Sequence, residues 1–214
     1  MSDVKDLIII GAGGMGREVL QWIKDINAIK PTWNILGFID DNINALNEMK
    51  CSHKIIDTLM GHKIDSDIYY VMGIASPELK KNISKKWLES NAQFASIIHP
   101  TAIIAEEATI GNGVIIYPYC IVSDNTRLGD FVGLNLYTSI GHDAVVGNYT
   151  TISAHCDITG GVKIGNEVFL GTHASIVPRV KVKDNVTICA GSVVMNNISA
   201  GKKVLGNPAK KFEI

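Results

Sequence analysis

His142 is followed directly by Asp143, and the pair stands in a stretch built mostly of small and aliphatic residues. A neutral imidazole is well suited to take a proton near pH 7, and a neighbouring carboxylate raises its basicity. Adjacent side chains on an extended chain face opposite ways, so the spacing predicts that Asp143 does not reach His142 within one chain. The plainer alternative is a surface histidine beside a solvated carboxylate. A second constellation is Gly11-Ala12-Gly13-Gly14-Met15-Gly16, placed directly after the apolar run at 7–10. Bare amides that open a helix can hold a phosphate. Asp40 and Asp41 end the next apolar run, where a ribose or base edge lies in nucleotide-binding α/β sheets. The plainer alternative here is a tight turn and a solvated acidic pair.

Other polar residues invite weaker readings. His155 and His173 are eighteen positions apart and share a column with Tyr119 and Tyr137. A ladder of like side chains is preferred there over a metal pair, and no metal site is assigned. His99 precedes Pro100 and reads as a turn residue, while His53 and His62 lie in a weakly patterned stretch. Gly160-Gly161 removes two side chains from one place and predicts a groove. Near the end, Gly206-Asn207-Pro208-Ala209-Lys210-Lys211 reads as a turn with a basic tail, or as a place for the phosphates of a long anionic cofactor. The cysteines are Cys51, Cys120, Cys156 and Cys189, with no CxxC. Cys120 and Cys156 fall two coils apart, roughly 9–10 Å, too far for a disulfide. They read as small core residues of a reducing compartment.

The elements that must position these groups differ in the two parts of the chain. Before residue 98 the pattern predicts a strand over 6–10, a helix over 17–28, a strand over 35–39, a strand over 68–72 and a helix over 77–90 opened by Pro77. Val19, Leu20, Ile23 and Ile26 form the expected inner face of the first helix. Alternating strands and helices argue for a small parallel sheet covered on both faces. Ninety-seven residues suit a mononucleotide, or a sugar attached to one, better than a dinucleotide.

From residue 98 an aliphatic side chain recurs every sixth position without a slip, from Ile98 through Ile140 and Ile158 to Val194. Four residues after each comes a mostly small one, such as Ala108, Cys120, Ala144 or Ser192. A six-residue period is the mark of a parallel β-helix. Three hexads close one triangular coil, so position n stacks on n+18 at about the 4.8 Å strand spacing. The aliphatic residue points inward, the small one shares the crowded interior, and Gly or Asn relaxes the corner. One repeat cannot bury its own apolar face, but a stack can. His142 falls at a corner, not in the interior column.

The 214 residues carry 20 Lys and Arg against 21 Asp and Glu, a net charge of −1. That offers no general attraction to nucleic acid or to an anionic membrane. No run approaches a membrane span or a signal sequence, so a cytoplasmic protein is expected.

The chain resembles the hexapeptide-repeat acyltransferases with a nucleotide-sugar-binding N-terminal domain, a group that includes bacterial UDP-amino-sugar N-acetyltransferases and sialic acid O-acetyltransferases. The resemblance is carried by Gly11-Ala-Gly-Gly-Met-Gly16, Phe38-Ile-Asp-Asp41, Gly73, Leu134-Asn135, Ile140-Gly-His-Asp143, the hexads and Gly206-Asn-Pro-Ala-Lys210. It implies an α/β Rossmann-like domain over 1–97, then a left-handed parallel β-helix over 98–214. It also implies a homotrimer with sites between subunits, acetyl-CoA as donor, a nucleotide-linked 4-amino sugar (the UDP form expected) as acceptor, and a place in surface glycan synthesis. Carried over by position, His142 matches the general base and Asp143 its supporting acid. Gly13, Gly14, Met15, Asp40, Asp41 and Gly73 match nucleotide-sugar contacts, and Asn135 a residue that positions the acceptor. Thr151, Gly160, Thr172 and Ala190 match the lining of the CoA groove. Met15 and Thr151 replace histidines seen in some members. Alternatives are an O-acetyltransferase acting on a sialic acid or another sugar, a metal-dependent β-helix hydratase, and a non-catalytic nucleotide-sugar-binding scaffold.

Overall fold

The structure, a computed structural model, describes residues 4–212. The chain forms two compact units. One holds the residues up to Ala75 together with Leu79–Ile97, the other Ser76–Glu78 and the residues from Ile98 onward.

The first unit comprises β1 (Lys5–Ile10), α1 (Gly14–Ile29), β2 (Trp33–Ile39), β3 (Ile55–Asp57), β4 (Tyr69–Met72), α2 (Pro77–Leu88) and β5 (Gln93–Phe94). The sheet is wholly parallel in the order β3-β2-β1-β4-β5. The step from β1 to β2 runs one way across the sheet and the step from β4 to β5 the other. Right-handed crossovers therefore put α1 and α2 on opposite faces, with the reversal of direction between β1 and β4. Burial follows: Leu7, Ile9 and Ile10 of β1 are fully buried, the continuous apolar run that a strand covered on both faces requires. Helix α1 buries Gly16, Val19, Leu20 and Ile23, while Ile26, expected on the same face, is only half-buried. The sequence pattern missed β3, whose three residues show too short a run to alternate.

The second unit repeats two-residue strands from Ile103–Ile104 to Val193–Val194. They stack into three parallel sheets, each taking every third strand. Sheet I contains Gly133–Leu134 and Thr151–Ile152, sheet II Ser139–Ile140 and Asp157–Ile158, and sheet III Val145–Val146 and Lys163–Ile164. Partners differ by eighteen throughout, as in Leu134↔Ile152 and Ile140↔Ile158. Every hexad aliphatic from Ile116 to Val194 is buried. The threonines of the small inner column are satisfied by one repeated bond, while Ser192 Oγ accepts from the Gly206 amide at 3.2 Å. Thr126, Thr138 and Thr150 each donate Oγ1–H to the carbonyl fifteen residues on, at 3.1, 3.0 and 3.0 Å. The Cys120 and Cys156 thiols do the same to Asn135 and Gly171 at 3.0 and 3.2 Å. Burial pushes both thiols up to about 11, so they stay protonated. All four cysteines are free.

The corners depart from expectation. Gly or Asn was expected to relax them, yet the left-handed position of most coils is held by a large side chain. Tyr119, Phe131, Tyr137, Asp143, Tyr149, His155, Glu167, His173 and Arg179 all have φ near +60°. Each such residue costs about 1–2 kcal/mol. Stacking offsets part of this where rings coincide: Tyr119, Tyr137, His155 and His173 form one ladder with centroids 5.1, 4.9 and 4.8 Å apart. The expected ladder of like side chains is thus present. The glycines that follow the hexad aliphatics answer a different demand. The amide of Asn112 donates to Asp130 Oδ1, Asp130 to Asn148, Asn148 to Asn166 and Asn166 to Asp184, each at 2.8 Å. A Cβ at Gly111, Gly129 or Gly165 would strike the side-chain oxygen of the next coil at 2.6, 2.3 or 2.2 Å. Glycine there makes room for an Asx ladder that staples one corner of the prism.

Candidate functional site

Two places in the described residues gather chemistry, one in each unit. In the first unit a cleft of about 470 Å³ opens at the carboxyl ends of β1, β2 and β4. This is the reversal point of the sheet, where open parallel sheets bind ligands. Gly11, Gly13, Gly14, Met15, Asp40, Asp41 and Gly73, all marked in the sequence except Gly11's own role, line it together. Leu59, Ile74, Ala75, Leu79 and Ile83 add an apolar wall that no sequence signal pointed to.

The glycines of the cleft divide by cause. Gly11 has φ +93°, and a Cβ on Gly16 would lie 1.9 Å from the Gly11 carbonyl oxygen. A Cβ on Gly73 would lie 2.7 Å from the Gly16 Cα, so these three let helix and strands touch. Gly13 and Gly14 have neither constraint. Neither has positive φ, and a Cβ at either would meet nothing within 4 Å. What remains is room for a ligand to approach the backbone. The first turn of α1 has no side-chain cap and no acidic residue, so its N–H groups are left for an anion. Asp40 is already engaged: Oδ2 accepts from the Ala12 amide at 2.7 Å and Oδ1 from the Asn42 amide at 2.8 Å. It ties the glycine turn to the end of β2. Asp41 Oδ1 accepts from the Leu59 amide at 2.8 Å, which leaves Oδ2 to a ligand.

In the second unit His142 and Asp143 sit at the corner between sheets II and III. The expectation that they would not meet is overturned. Asp143 has φ +60°, which breaks the alternation of an extended chain, and its Oδ2 lies 2.7 Å from His142 Nδ1. Its Oδ1 accepts from Asn125 Nδ2, also at 2.7 Å. The bond to His142, and then the one to Asn125, hold the Asp143 carboxyl below its ordinary value. With Nδ1 engaged by a carboxylate, the imidazole carries its proton on that side and offers the Nε2 lone pair. The ring lies over Gly160, where a Cβ would come within 2.5 Å of Nε2. The predicted groove at Gly160-Gly161 is therefore partly filled: the imidazole occupies the space over Gly160, and Arg179 Cγ would stand 3.3 Å from a Cβ on Gly161. The Gly160 carbonyl accepts from Arg179 and the Gly161 amide donates to the His142 carbonyl, whereas the Gly160 amide donates to no described residue. The His142 side chain is 71% exposed in the single chain.

The remaining marked residues lie elsewhere on the prism. Asn135, Thr172 and Ala190 stand at the corner between sheets I and II, with Thr172 and Ala190 one coil apart and exposed. Thr151 is on a sheet I strand and only 6% exposed. One chain thus brings His142, Asp143 and Gly160 together at one corner and leaves the other four away from it. His155 and His173 stack face to face, and no group of three or more potential metal ligands occurs among the described residues.

Comparison with known proteins agrees with both units. Residues 6–87 match the PglD N-terminal domain, and residues 161–196 match the bacterial transferase hexapeptide (six repeats). The UDP-N-acetylbacillosamine N-acetyltransferase of Bacillus subtilis (strain 168) is 24% identical over 116 residues, 52% of this chain and 51% of that protein, so the match spans about half the length of that relative. Among solved structures, the acetyltransferase domain of PglB from Neisseria gonorrhoeae FA1090 in complex with acetyl coenzyme A superimposes with a TM-score of 0.89 at 25% identity, covering 98% of this chain and 100% of that one. PerB from Caulobacter crescentus, solved with CoA and GDP-perosamine, shares the fold with a TM-score of 0.85 at 19% identity over the full length of both chains. No described helix is long and apolar enough to cross a membrane.

Proposed function

We propose that this hexapeptide-repeat sugar acyltransferase is an acetyl-CoA-dependent N-acetyltransferase acting on a nucleotide-linked 4-amino sugar, with the UDP form as the expected substrate. The observation that carries the reading is the corner at residues 142–143 and 160. An imidazole is held at Nδ1 by a carboxylate, and its Nε2 lies over a glycine whose amide is uncommitted. These are a base and an anion-stabilising donor side by side. A similar Bacillus subtilis protein is named UDP-N-acetylbacillosamine N-acetyltransferase, and the similar PglB domain was solved with acetyl-CoA.

In this reading the diphosphate rests on the first-turn amides of α1 beside Gly13 and Gly14, Asp41 meets the nucleoside, and Asp40 holds the turn in shape. His142 Nε2 takes a proton from the sugar amine as its nitrogen attacks the thioester carbonyl. The Gly160 amide donates to the oxygen that becomes negative. Collapse of the tetrahedral adduct breaks the C–S bond, and the proton taken by His142 passes to the departing thiolate of CoA. No nucleophilic Cys or Ser is required, because a thioester is already activated. Asp143 keeps the imidazole in its working tautomer and stabilises the imidazolium.

A 71% exposed base is poorly isolated from water, and Asn135, Thr172 and Ala190 occupy a different corner of the same prism. A homotrimer in which one chain's corner at His142 faces another chain's corner at Asn135 and Thr172 answers both points. Gly160, Thr172 and Ala190 then line the donor groove, Asn135 orients the acceptor, and Thr151 stays within its sheet, only 6% exposed. The reaction belongs in the cytoplasm, where acetyl-CoA and nucleotide sugars are made. The test is CoA release across a panel of nucleotide-linked 4-amino sugars, with UDP and GDP forms compared and the matching 4-hydroxy sugars as controls. Turnover only with amines supports the reading, and turnover only with hydroxyls refutes N-acetylation.

A further inference from the structure

We infer that Asn125 is a positioning residue for the His142 base, acting through Asp143. The inference rests on the proposed role of His142 and adds a third member to that site. Asn125 lies eighteen residues before Asp143, so the stacking register puts the two side chains on neighbouring rungs of one corner. Its Nδ2 lies 2.7 Å from Asp143 Oδ1, and the opposite oxygen of the same carboxylate lies 2.7 Å from His142 Nδ1. A carboxylate only accepts, so the amide presents its NH2 group and the imidazole its N–H.

The need for such a strut follows from exposure. The Asp143 and His142 side chains are 55% and 71% exposed. An isolated surface pair of this kind gains little, because solvent screens the charges and both side chains must be ordered. Holding the carboxylate at a second point removes one rotation and leaves Oδ2 aimed at Nδ1. Asn125 itself sits at φ +52°. Asn tolerates the left-handed region better than most residues, so the column can spend this rung on a polar side chain. Its rung neighbours below are Asp143, Gly161 and Arg179, and among the first three only Asn125 can donate a side-chain hydrogen bond to the carboxylate. The bond from His142, and after it the bond from Asn125, hold the Asp143 carboxyl below its ordinary value, which agrees with bonds made to the charged form.

Asn125→Gly isolates the amide, since glycine adopts this φ with less strain and the fold has no reason to suffer. Two readouts on the full-length protein separate positioning from structure. The first is the His142 imidazole 15N shifts without substrate, which report how the proton divides between Nδ1 and Nε2. The second is the kcat and KM pair for CoA release. We expect the Nδ1–H tautomer to lose population, kcat to fall roughly tenfold, and both KM values to stay within about twofold, the pattern of lost transition-state stabilisation without lost binding. Asn125→Asp keeps the shape but puts a second carboxylate against Asp143, and is expected to lower kcat further than glycine does. Unchanged 15N shifts in Asn125→Gly would overturn the inference whatever the rate. Shifted tautomers with a wild-type kcat would uphold the strut and instead refute His142 as the base.

Discussion

At the scale of single residues, the functional corner depends on one backbone choice. Asp143 takes a left-handed conformation, and only that turns its carboxylate onto the preceding histidine. The pair was legible in the sequence as a possible base and acid, but their contact was not, because alternation along an extended chain predicts the reverse. Gly160 is the complementary choice. It has no positive φ, so alanine fits its backbone, yet the methyl would come within 2.5 Å of His142 Nε2. An exposed imidazole can swing away from such a methyl, so Gly160→Ala is expected to fold normally and to lower kcat by about 10–100-fold through misplacement of the base. Steady-state kinetics beside a thermal melt would check both halves. Asp40 carries a related lesson. Its place after β2 marked it as a ligand contact; it does line the cleft, and each of its oxygens also accepts one backbone amide, from Ala12 and Asn42, a structural duty the sequence did not reveal.

At the scale of elements, the Asx ladder explains a dipeptide that the hexad pattern left unexplained. Gly111-Asn112, Gly129-Asp130, Gly147-Asn148 and Gly165-Asn166 recur every eighteen residues, and that recurrence was a readable signal for the ladder. Lys183-Asp184 lacks the glycine at the last rung, where no further Asx follows to need the space. Gly147→Ala would press a Cβ to 2.5 Å from the Gly165 backbone, which cannot yield as a side chain can. It is expected to cost about 1–3 kcal/mol, against roughly 1 kcal/mol for Asn148→Ala, which deletes one partly solvated hydrogen bond. Urea midpoints of the two variants would rank them. In the first unit, α2 buries Lys80, and burial pushes its ammonium down to about 7 from an ordinary 10.5. Between those values the unfolded chain binds more protons than the folded one, so this group makes stability rise with pH from about 7 towards 10.5, and its cost is full below 7. Lys80→Met should raise the melting temperature at pH 6 and flatten the slope between pH 7 and 10. An unaltered slope would show that Lys80 is not the group responsible. The proline that marked the start of α2 gave no hint of this lysine, since a start signal says nothing about which side chains the helix buries.

At the scale of the whole molecule, the hexad beat made most of the second unit readable, because a solenoid uses one rule repeatedly and each coil contacts only its neighbours. Strand positions, the n+18 register and the buried columns all followed from it. The first unit was readable in outline, with its glycine turn, second-strand acids and parallel sheet covered on both faces, but the strand order, β3 and the apolar wall of the cleft depend on tertiary contacts that no local period encodes. The same single-chain view leaves the His142 corner and the Asn135 corner apart. The proposed homotrimer predicts a solution mass three times that of the chain by sedimentation equilibrium at micromolar concentration, and a monomer that stays monomeric with both substrates present would remove the shared site.

The most direct measurement of the central claim is the rate of acetyl transfer by His142→Ala, with the preferred nucleotide-linked 4-amino sugar and acetyl-CoA both saturating. A general base is worth about 10²–10⁴-fold, so kcat should fall within that range while calorimetric affinity for the sugar nucleotide is retained. A variant that turns over at the wild-type rate would contradict the assignment of the base and the direct-transfer mechanism built on it.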